Sequence, residues 1–278
     1  MPSLLATELD LRSVAATQTP KLAPVREAVQ ALPGLTLDEV NAKAALQERV
    51  DTKFIVHPSA LLGLMEELRG QLEVLDIDGI RSFSYDSIYF DTDNLRTYRD
   101  HLQGRRRRFK VRTRHYVDSD FTVLEVKTKG LRSKTEKVRI NHHVPGDELG
   151  KEGAQFVTEQ LKRYRVADGE QVVNQLRPAL RTSYRRITLV GKYRPFRMTC
   201  DAVLNCADAD SGVLTLRDRV LVETKTPSMR DPLIGQMYRL GIRPVGMSKY
   251  CAGIGMLKED IPSMKWNKVI RNHLRVSA

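Results

Sequence analysis

Six segments of this chain alternate charged and apolar residues at a period of two, and no other feature restricts the fold as strongly. In "RRRRFKVRTR", residues 105–114, Arg106, Arg108, Lys110, Arg112 and Arg114 share one face of a strand, because side chains two apart point the same way. Arg107, Phe109, Val111 and Thr113 take the other face. "ERVDTKF" groups Arg49, Asp51 and Lys53, "LEVKTK" groups Glu125, Lys127 and Lys129, and "EKVRI" pairs Lys137 with Arg139. "RMTCD" aligns Arg197, Thr199 and Asp201, and "VETK" pairs Glu223 with Lys225.

The spacing predicts strands over 106–116, 121–129, 134–140, 182–190, 195–205 and 217–225, with others at "ERVDTKFIV" and "FSYDSIYFDT". Helices are expected over "PSALLGLMEELRGQL", over "DTDNLRTYRDHLQG" with Asp91 or Thr92 as cap and Gly104 as stop, and over 148–165, 228–240 and the tail from 249. Runs of strands interrupted by few helices point to an antiparallel α+β fold or barrel and away from a doubly wound parallel sheet.

Like charges directly opposite on neighbouring strands destabilise a sheet. Two arrangements accommodate them here. The charged face is the solvated side of an open sheet, or the strands close into a barrel with that face inward, making a wet cationic tunnel. The tunnel suits a polyanion, since arginine forks match phosphate oxygens two at a time and lysines add point charges. A few inward carboxylates would then hold a divalent metal bridging phosphate oxygens.

Composition agrees without choosing. Lys and Arg number 46 against 34 Asp and Glu, a net charge of +12, so nucleic acid, phosphorylated metabolites or an anionic membrane surface are favoured partners. Cys200, Cys206 and Cys251 have no CxxC or metal-ligand spacing, which suggests neither disulfides nor zinc and fits a reducing cytoplasm. "MPSLLATELDLRS" carries acidic residues where a secretory signal needs a basic start, and no apolar run reaches transmembrane length. Without a GxxxxGK[ST] loop, a GxGxxG turn or a kinase catalytic loop, side chains must do any phosphate handling. GxSxG and HExxH are absent as well, and His142 and His143 read as solvated loop residues.

Residues 1–45, broken by Pro20, Pro24 and Pro33, read as an N-terminal extension, 46–256 as the tunnel domain, and 257–278 as a basic helical tail. In that tail Lys258, Lys265, Lys268, Arg271 and Arg275 are expected to be solvated, and Tyr89 and Phe90 are expected in the core.

In order over residues 47–252, "ERVDTKF", "SIYFDT", "YRDHLQG", "RFKVRTRHY", "LEVKTKG", "TSYRRITL", "RMTCDAVL", "LVETK" and "MSKY" resemble the VTC domain. This is the polyphosphate polymerase domain of the vacuolar transporter chaperone complex and of stand-alone bacterial relatives, within the triphosphate tunnel metalloenzymes and their CYTH-like branch. The resemblance implies an antiparallel β-barrel, the triphosphate tunnel, with flanking helices, and transfer of the terminal phosphoryl group of ATP to inorganic polyphosphate or pyrophosphate with Mn²⁺ or Mg²⁺. It assigns Lys53, Arg112, Arg114, Lys127, Arg186, Arg197 and Lys249 to catalysis. Arg49, Lys110, Lys137, Arg139, Tyr184 and Lys225 are further phosphate contacts, and Glu223 and Glu125 are metal ligands. Glu125 and Asp201 are equally open to a role as salt-bridge partners of the tunnel cations.

Two departures are visible. The hydrolytic tunnel enzymes carry ExExK on the first strand, where this chain has Arg49, Asp51 and Lys53, a pattern that favours phosphate binding over a second metal. Gly246, Met247 and Ser248 stand where eukaryotic members have a further basic residue. Hydrolysis of tripolyphosphate or a nucleoside triphosphate, or binding of polyphosphate without turnover, are the alternatives. No specific nucleic-acid partner is expected, because few aromatics share the basic faces.

Overall fold

The computed structural model describes residues 20–43, 49–129, 135–208, 213–216, 218–258 and 260–274. Its strands are β1 (Gly34–Leu35), β2 (Val50–Val56), β3 (Leu72–Leu75), β4 (Phe83–Asp91), β5 (Phe109–Tyr116), β6 (Phe121–Lys129), β7 (Thr135–Asn141), β8 (Arg177–Gly191), β9 (Arg197–Ala207), β10 (Val213–Leu216) and β11 (Val220–Thr226). They form one sheet in the order β2-β11-β9-β8-β4-β5-β6-β7, with β1 on β3, β3 on β8 and β10 on β9 at its margins. All ladders are antiparallel except the two-residue β1–β3 pairing. The α+β antiparallel expectation holds. The sheet is a curled half-barrel, and β2 and β7 share no ladder among the described residues.

The alternation read from the sequence sorts the two faces. On the convex face, Phe54, Val56, Val222, Met198 and Leu189 pack under α1 (Ala23–Gln30), α3 (Pro58–Glu67) and α7 (Pro232–Arg239). Farther along the sheet, Phe90, Val111, Leu124 and Val126 pack under α5 (Gly150–Arg163) and α6 (Gly169–Asn174). Residues 20–43 join this packing, since Val25 and Val29 of α1 are buried there and Arg81 donates to the carbonyls of Val29, Gln30 and Leu32.

The concave face is apolar at one end only. There Ile55, Leu180, Leu204, Cys206 and Leu221 meet Tyr250, Cys251 and Ile254 of α8 (Lys249–Leu257), which seals that end. Gly253 permits the approach, because a Cβ at that position would lie 2.7 Å from Leu180 Cδ2. Asp201 and Cys206, five apart, reach the same face only because β9 carries an extra residue. The β8–β9 register shifts between Ser183 and Arg185, and Val203 sits at φ 51, a left-handed conformation costly for a β-branched residue.

Three expectations change. β5 begins at Phe109, because α4 (Arg96–Leu102) ends at Gly104 with φ 70 and the chain needs residues 105–108 to turn back. Arg105, Arg106 and Arg107 are therefore exposed, and Arg108 donates to the carbonyls of Gly104 and Arg105. His142 is buried rather than solvated, with Nε2 3.0 Å from the Glu148 carbonyl oxygen. The tail is not a freely solvated helix. Lys265, Lys268 and Arg271 face water, but Trp266, Val269, Ile270 and Leu274 of α9 (Met264–Val269) and the following turn are buried against Tyr98 and α8. Lys258 lies 3.4 Å from Asp208, and Arg275 falls outside the described residues.

Asp91 and Thr92 both serve the start of α4, but from outside it, because the helix begins at Arg96 and Leu95, at φ 55, occupies the N-cap position. Asp91 accepts from the amides of Thr97 and Tyr98 at 2.8 and 3.0 Å, and Thr92 Oγ1 accepts from Arg96 N at 3.1 Å.

Candidate functional site

The concave face between the seal and the open end carries the charged parity of β2, β5, β6, β7, β9 and β11 with Arg186 of β8, while β4 contributes Tyr85 and Tyr89 and turns Asp86 to the other face, where it pairs with Arg181. On β5, β6 and β7 the register builds two neighbouring cross-strand rows: Arg112 opposite Glu125 opposite Arg139, and Lys110 opposite Lys127 opposite Lys137. In the first row Glu125 is 1% exposed and binds three cations. Arg112 Nε donates at 2.6 Å, Lys137 Nζ reaches across from the second row at 2.9 Å, and Arg114 Nε lies at 4.0 Å. Burial pushes the Glu125 carboxyl up, but Arg112, Arg114 and Lys137 outweigh it and hold the group far below the usual carboxylate range. Arg112 Nη1 also donates to Tyr89 Oη at 2.9 Å, so the buried tyrosine is both core and support.

The second row has no carboxylate of its own. Lys110 Nζ donates 2.9 Å to Ser248 Oγ at the start of α8, and burial, then repulsion from Lys127 and Arg112, pushes its ammonium down to about 8. Lys127 has no ion pair among the described residues; desolvation and then Lys53, across the cleft on β2, lower its pKa.

The opposite wall repeats the buried arrangement. Arg186 grips Asp201 with Nε at 2.6 Å and Nη2 at 2.7 Å, and Lys249 Nζ bonds the same carboxylate. Burial raises the Asp201 carboxyl, but Arg186 and Lys249 more than reverse this and hold it well below its ordinary value. Tyr85 and Tyr184 stack with centroids 5.3 Å apart and 3° between planes. Arg114 and Arg186 lie over Tyr85 at 5.4 and 5.0 Å, and Lys249 lies over Tyr184 at 4.2 Å. Tyr184 Oη is buried with no hydrogen-bond partner among the described residues, and it points into this cation cluster as a spare donor.

β2 and β11 form the looser wall. Glu223 stands opposite Lys53, with Nζ 3.8 Å away, and keeps 31% of its side chain exposed. Burial raises its carboxyl, whereas Lys53, Lys249 and Arg186 bring it below the ordinary value. Lys225 stands opposite Asp51 and Arg197, and Arg49 Nε donates to Asp51 at 3.1 Å. Arg197 turns toward α2 (Leu37–Lys43), donating to the Val40 carbonyl and Asn41 Oδ1 at 3.3 and 3.1 Å.

The residues singled out from the sequence thus converge on one face, with Arg197 partly engaged at its end. No group of three His, Cys, Asp or Glu side chains gathers among the described residues, so a metal held mainly by protein has no cage. Glu223 fits a different mode, in which one carboxylate and phosphate oxygens share a hard cation. Glu125 and Asp201 are saturated by cations. Sequence reasoning missed Tyr85 and Ser248. Tyr85 shares its parity with Tyr89 in "FSYDSIYF", the one signal available, whereas Ser248 is brought to Lys110 by α8 alone.

The VTC domain model matches residues 48–258. The chain belongs to the VTC domain family. No curated protein matches it. Among solved structures, the VTC domain is similar to an adenylate cyclase candidate from Bacillus halodurans, at 12% identity over 72% of this chain and 94% of that one, with a TM-score of 0.45. It is also similar to the adenylyl cyclase candidate HpAC1 from Hippeastrum, which has a dominant triphosphatase activity, at 15% identity over 78% and 99%, TM-score 0.44. A third is the Pct1 RNA triphosphatase of S. pombe, at 12% identity over 81% and 77%, TM-score 0.26. No helix among the described residues is long and apolar enough to cross a membrane.

Proposed function

We propose that this VTC domain is a polyphosphate polymerase, transferring the terminal phosphoryl group of ATP to the end of an inorganic polyphosphate chain held in the basic cleft. The observation that carries this reading is the in-register row Lys110, Lys127 and Lys137, with Lys53 facing it. Three like charges across adjacent strands persist most readily where a polyanion lies on them. Phosphoryl transfer asks little covalent chemistry of a protein, and aligned donor and acceptor with neutralised charge supply most of the rate.

Arg112, Arg114, Arg186 and Arg197 hold the nucleotide phosphates, and the Tyr184 hydroxyl donates to one of their oxygens. Lys53, Lys110, Lys127, Lys137 and Lys249 position the acceptor and stabilise charge developing on the transferred group. Arg49, Arg139 and Lys225 extend the basic surface toward the open end. Glu223 would hold Mn²⁺ or Mg²⁺, which supplies Lewis-acid neutralisation of phosphate oxygens when bound. Glu125 acts as the hub that keeps Arg112, Arg114 and Lys137 in place. The attacking terminal phosphate is already anionic, so no general base is required.

The test is incubation of the purified protein with ATP and Mn²⁺, with and without a short polyphosphate primer, resolving products by length on a gel. Chains longer than the primer, lost in Glu223→Ala and Arg112→Ala, are expected. Orthophosphate alone would make the protein a hydrolase, and tight polyphosphate binding without turnover would make it a binding protein.

A further inference from the structure

The arginine run that precedes β5 is not used by the cleft. Arg105, Arg106 and Arg107 sit on an exposed turn outside it, and Arg105 keeps 66% of its side chain in solvent. Hydrogen bonds tie other basic segments to this turn. Arg107 Nη1 donates to the Arg165 carbonyl at 3.0 Å, which brings up the exposed Arg163 and Arg165 at the end of α5. Lys265 Nζ of α9 donates to the His101 carbonyl at 3.2 Å on α4, just before the turn. Asp100, 3.5 Å from Arg105, is the carboxylate that answers the turn among the described residues.

The patch is continuous with the unbalanced lysine row. Arg108 leads directly into β5, its carbonyl accepts from Lys129 N of β6 at 3.0 Å, and Lys110 two residues later points into the cleft. His101 registers the junction: burial and then Lys110, Arg108 and Lys127 push its imidazole down to about 3. The patch is mostly cationic. Its one partly open aromatic is Tyr164, whose ring lies under Arg163 at 5.6 Å and whose hydroxyl is held by Glu136. The exposed aromatics Phe121, Tyr193 and Tyr238 lie on other elements, and Trp266 is buried beneath Lys265. A single covered ring is no stacking platform for successive bases, so the surface suits a polyanion recognised by charge.

We infer that the turn at Arg105–Arg108, the end of α5 and the outer face of α9 form an external track that holds polyphosphate chains too long for the cleft. The inference rests on the polymerase reading for its occupant, but it concerns binding and can be tested without turnover. Each phosphate neutralised releases counterions, so binding on the track weakens steeply with salt.

The experiment measures affinity of the full chain for long-chain polyphosphate and for tripolyphosphate across a salt series. Variants are Arg105→Gln/Arg106→Gln/Arg107→Gln and, on a separate element, Lys265→Gln/Lys268→Gln, each checked for an unchanged melting temperature. Both are expected to weaken long-chain binding about tenfold at low salt and leave tripolyphosphate unaffected. The triple variant should also flatten the log–log salt slope by about 2. Equal losses for both ligands, or no loss with either variant, would overturn the track. So would single-stranded DNA of matched charge displacing the long chain at equal or lower concentration, since that would mark a nucleic-acid surface. If the triple variant fails to fold, the α9 variant decides alone. Should the protein bind long chains through this track yet never extend a primer, the polymerase reading falls and the track remains.

Discussion

Two rows of side chains, one residue pair apart on the same three strands, solve the same electrostatic problem in opposite ways. Arg112, Glu125 and Arg139 alternate in sign, and the central carboxylate is sealed from water by its partners. Lys110, Lys127 and Lys137 repeat one sign and are relieved only sideways, by Ser248 for Lys110 and by Glu125 for Lys137. The difference is one of internal pairing. The first row carries its own carboxylate, whereas the second has none and, on the proposed function, is completed by an anion.

Breaking the balanced row should have the largest effect. Glu125→Gln strands buried guanidinium groups and is expected to cost about 3 kcal/mol, near the lower end for removing one partner of a buried pair. For a chain of this size that lowers the melting temperature by about 5 °C at neutral pH. The sign with pH follows from the depressed carboxyl. Its stabilisation is complete above the ordinary glutamate pKa of about 4.3 and drains away as pH falls below it, so wild type and variant should converge in acid. Calorimetry across pH checks this. An unchanged melting temperature with lost Mn²⁺ binding would instead make Glu125 a metal ligand.

Relieving the unbalanced row should act the other way. Lys127→Gln removes the middle of three like charges and is expected to raise stability by about 0.5 kcal/mol while weakening tripolyphosphate binding about tenfold. Denaturant titration and calorimetric binding measure the two together. A loss in both would mean that the row is scaffold after all.

The same contrast explains what was legible in the sequence. Period-two alternation revealed the strands and both faces of the sheet, because it is local and the charged parity is long and consistent. It overextended β5 to Arg106, since a run of arginines keeps the alternating pattern through a turn that Gly104 imposes. It could not show that Asp201 and Cys206 share a face, because the extra residue near Val203 resets the parity without a glycine to mark it. The split between Glu125 and Glu223 was equally hidden. Both are glutamates on a charged parity, and only the packing of three cations around one of them separates their roles.

The smallest effect tests whether the unbalanced row responds to a ligand. Lys110 is a lysine with its folded pKa lowered to about 8, so it is charged below that value and neutral above it. In the free protein, stability should rise between pH 8 and the unfolded lysine value of about 10.4, where the unfolded chain binds the extra proton. An anion reverses the bias by favouring the ammonium, so tripolyphosphate binding near pH 8.5 (roughly half a unit above the folded value) should draw in a fraction of a proton. Calorimetry in buffers of different ionisation enthalpy reads that uptake directly. In Lys110→Arg, whose guanidinium stays protonated across this range, the uptake should vanish while binding persists. Uptake that survives the substitution would move the responsive charge to Lys127, the other depressed lysine in the row.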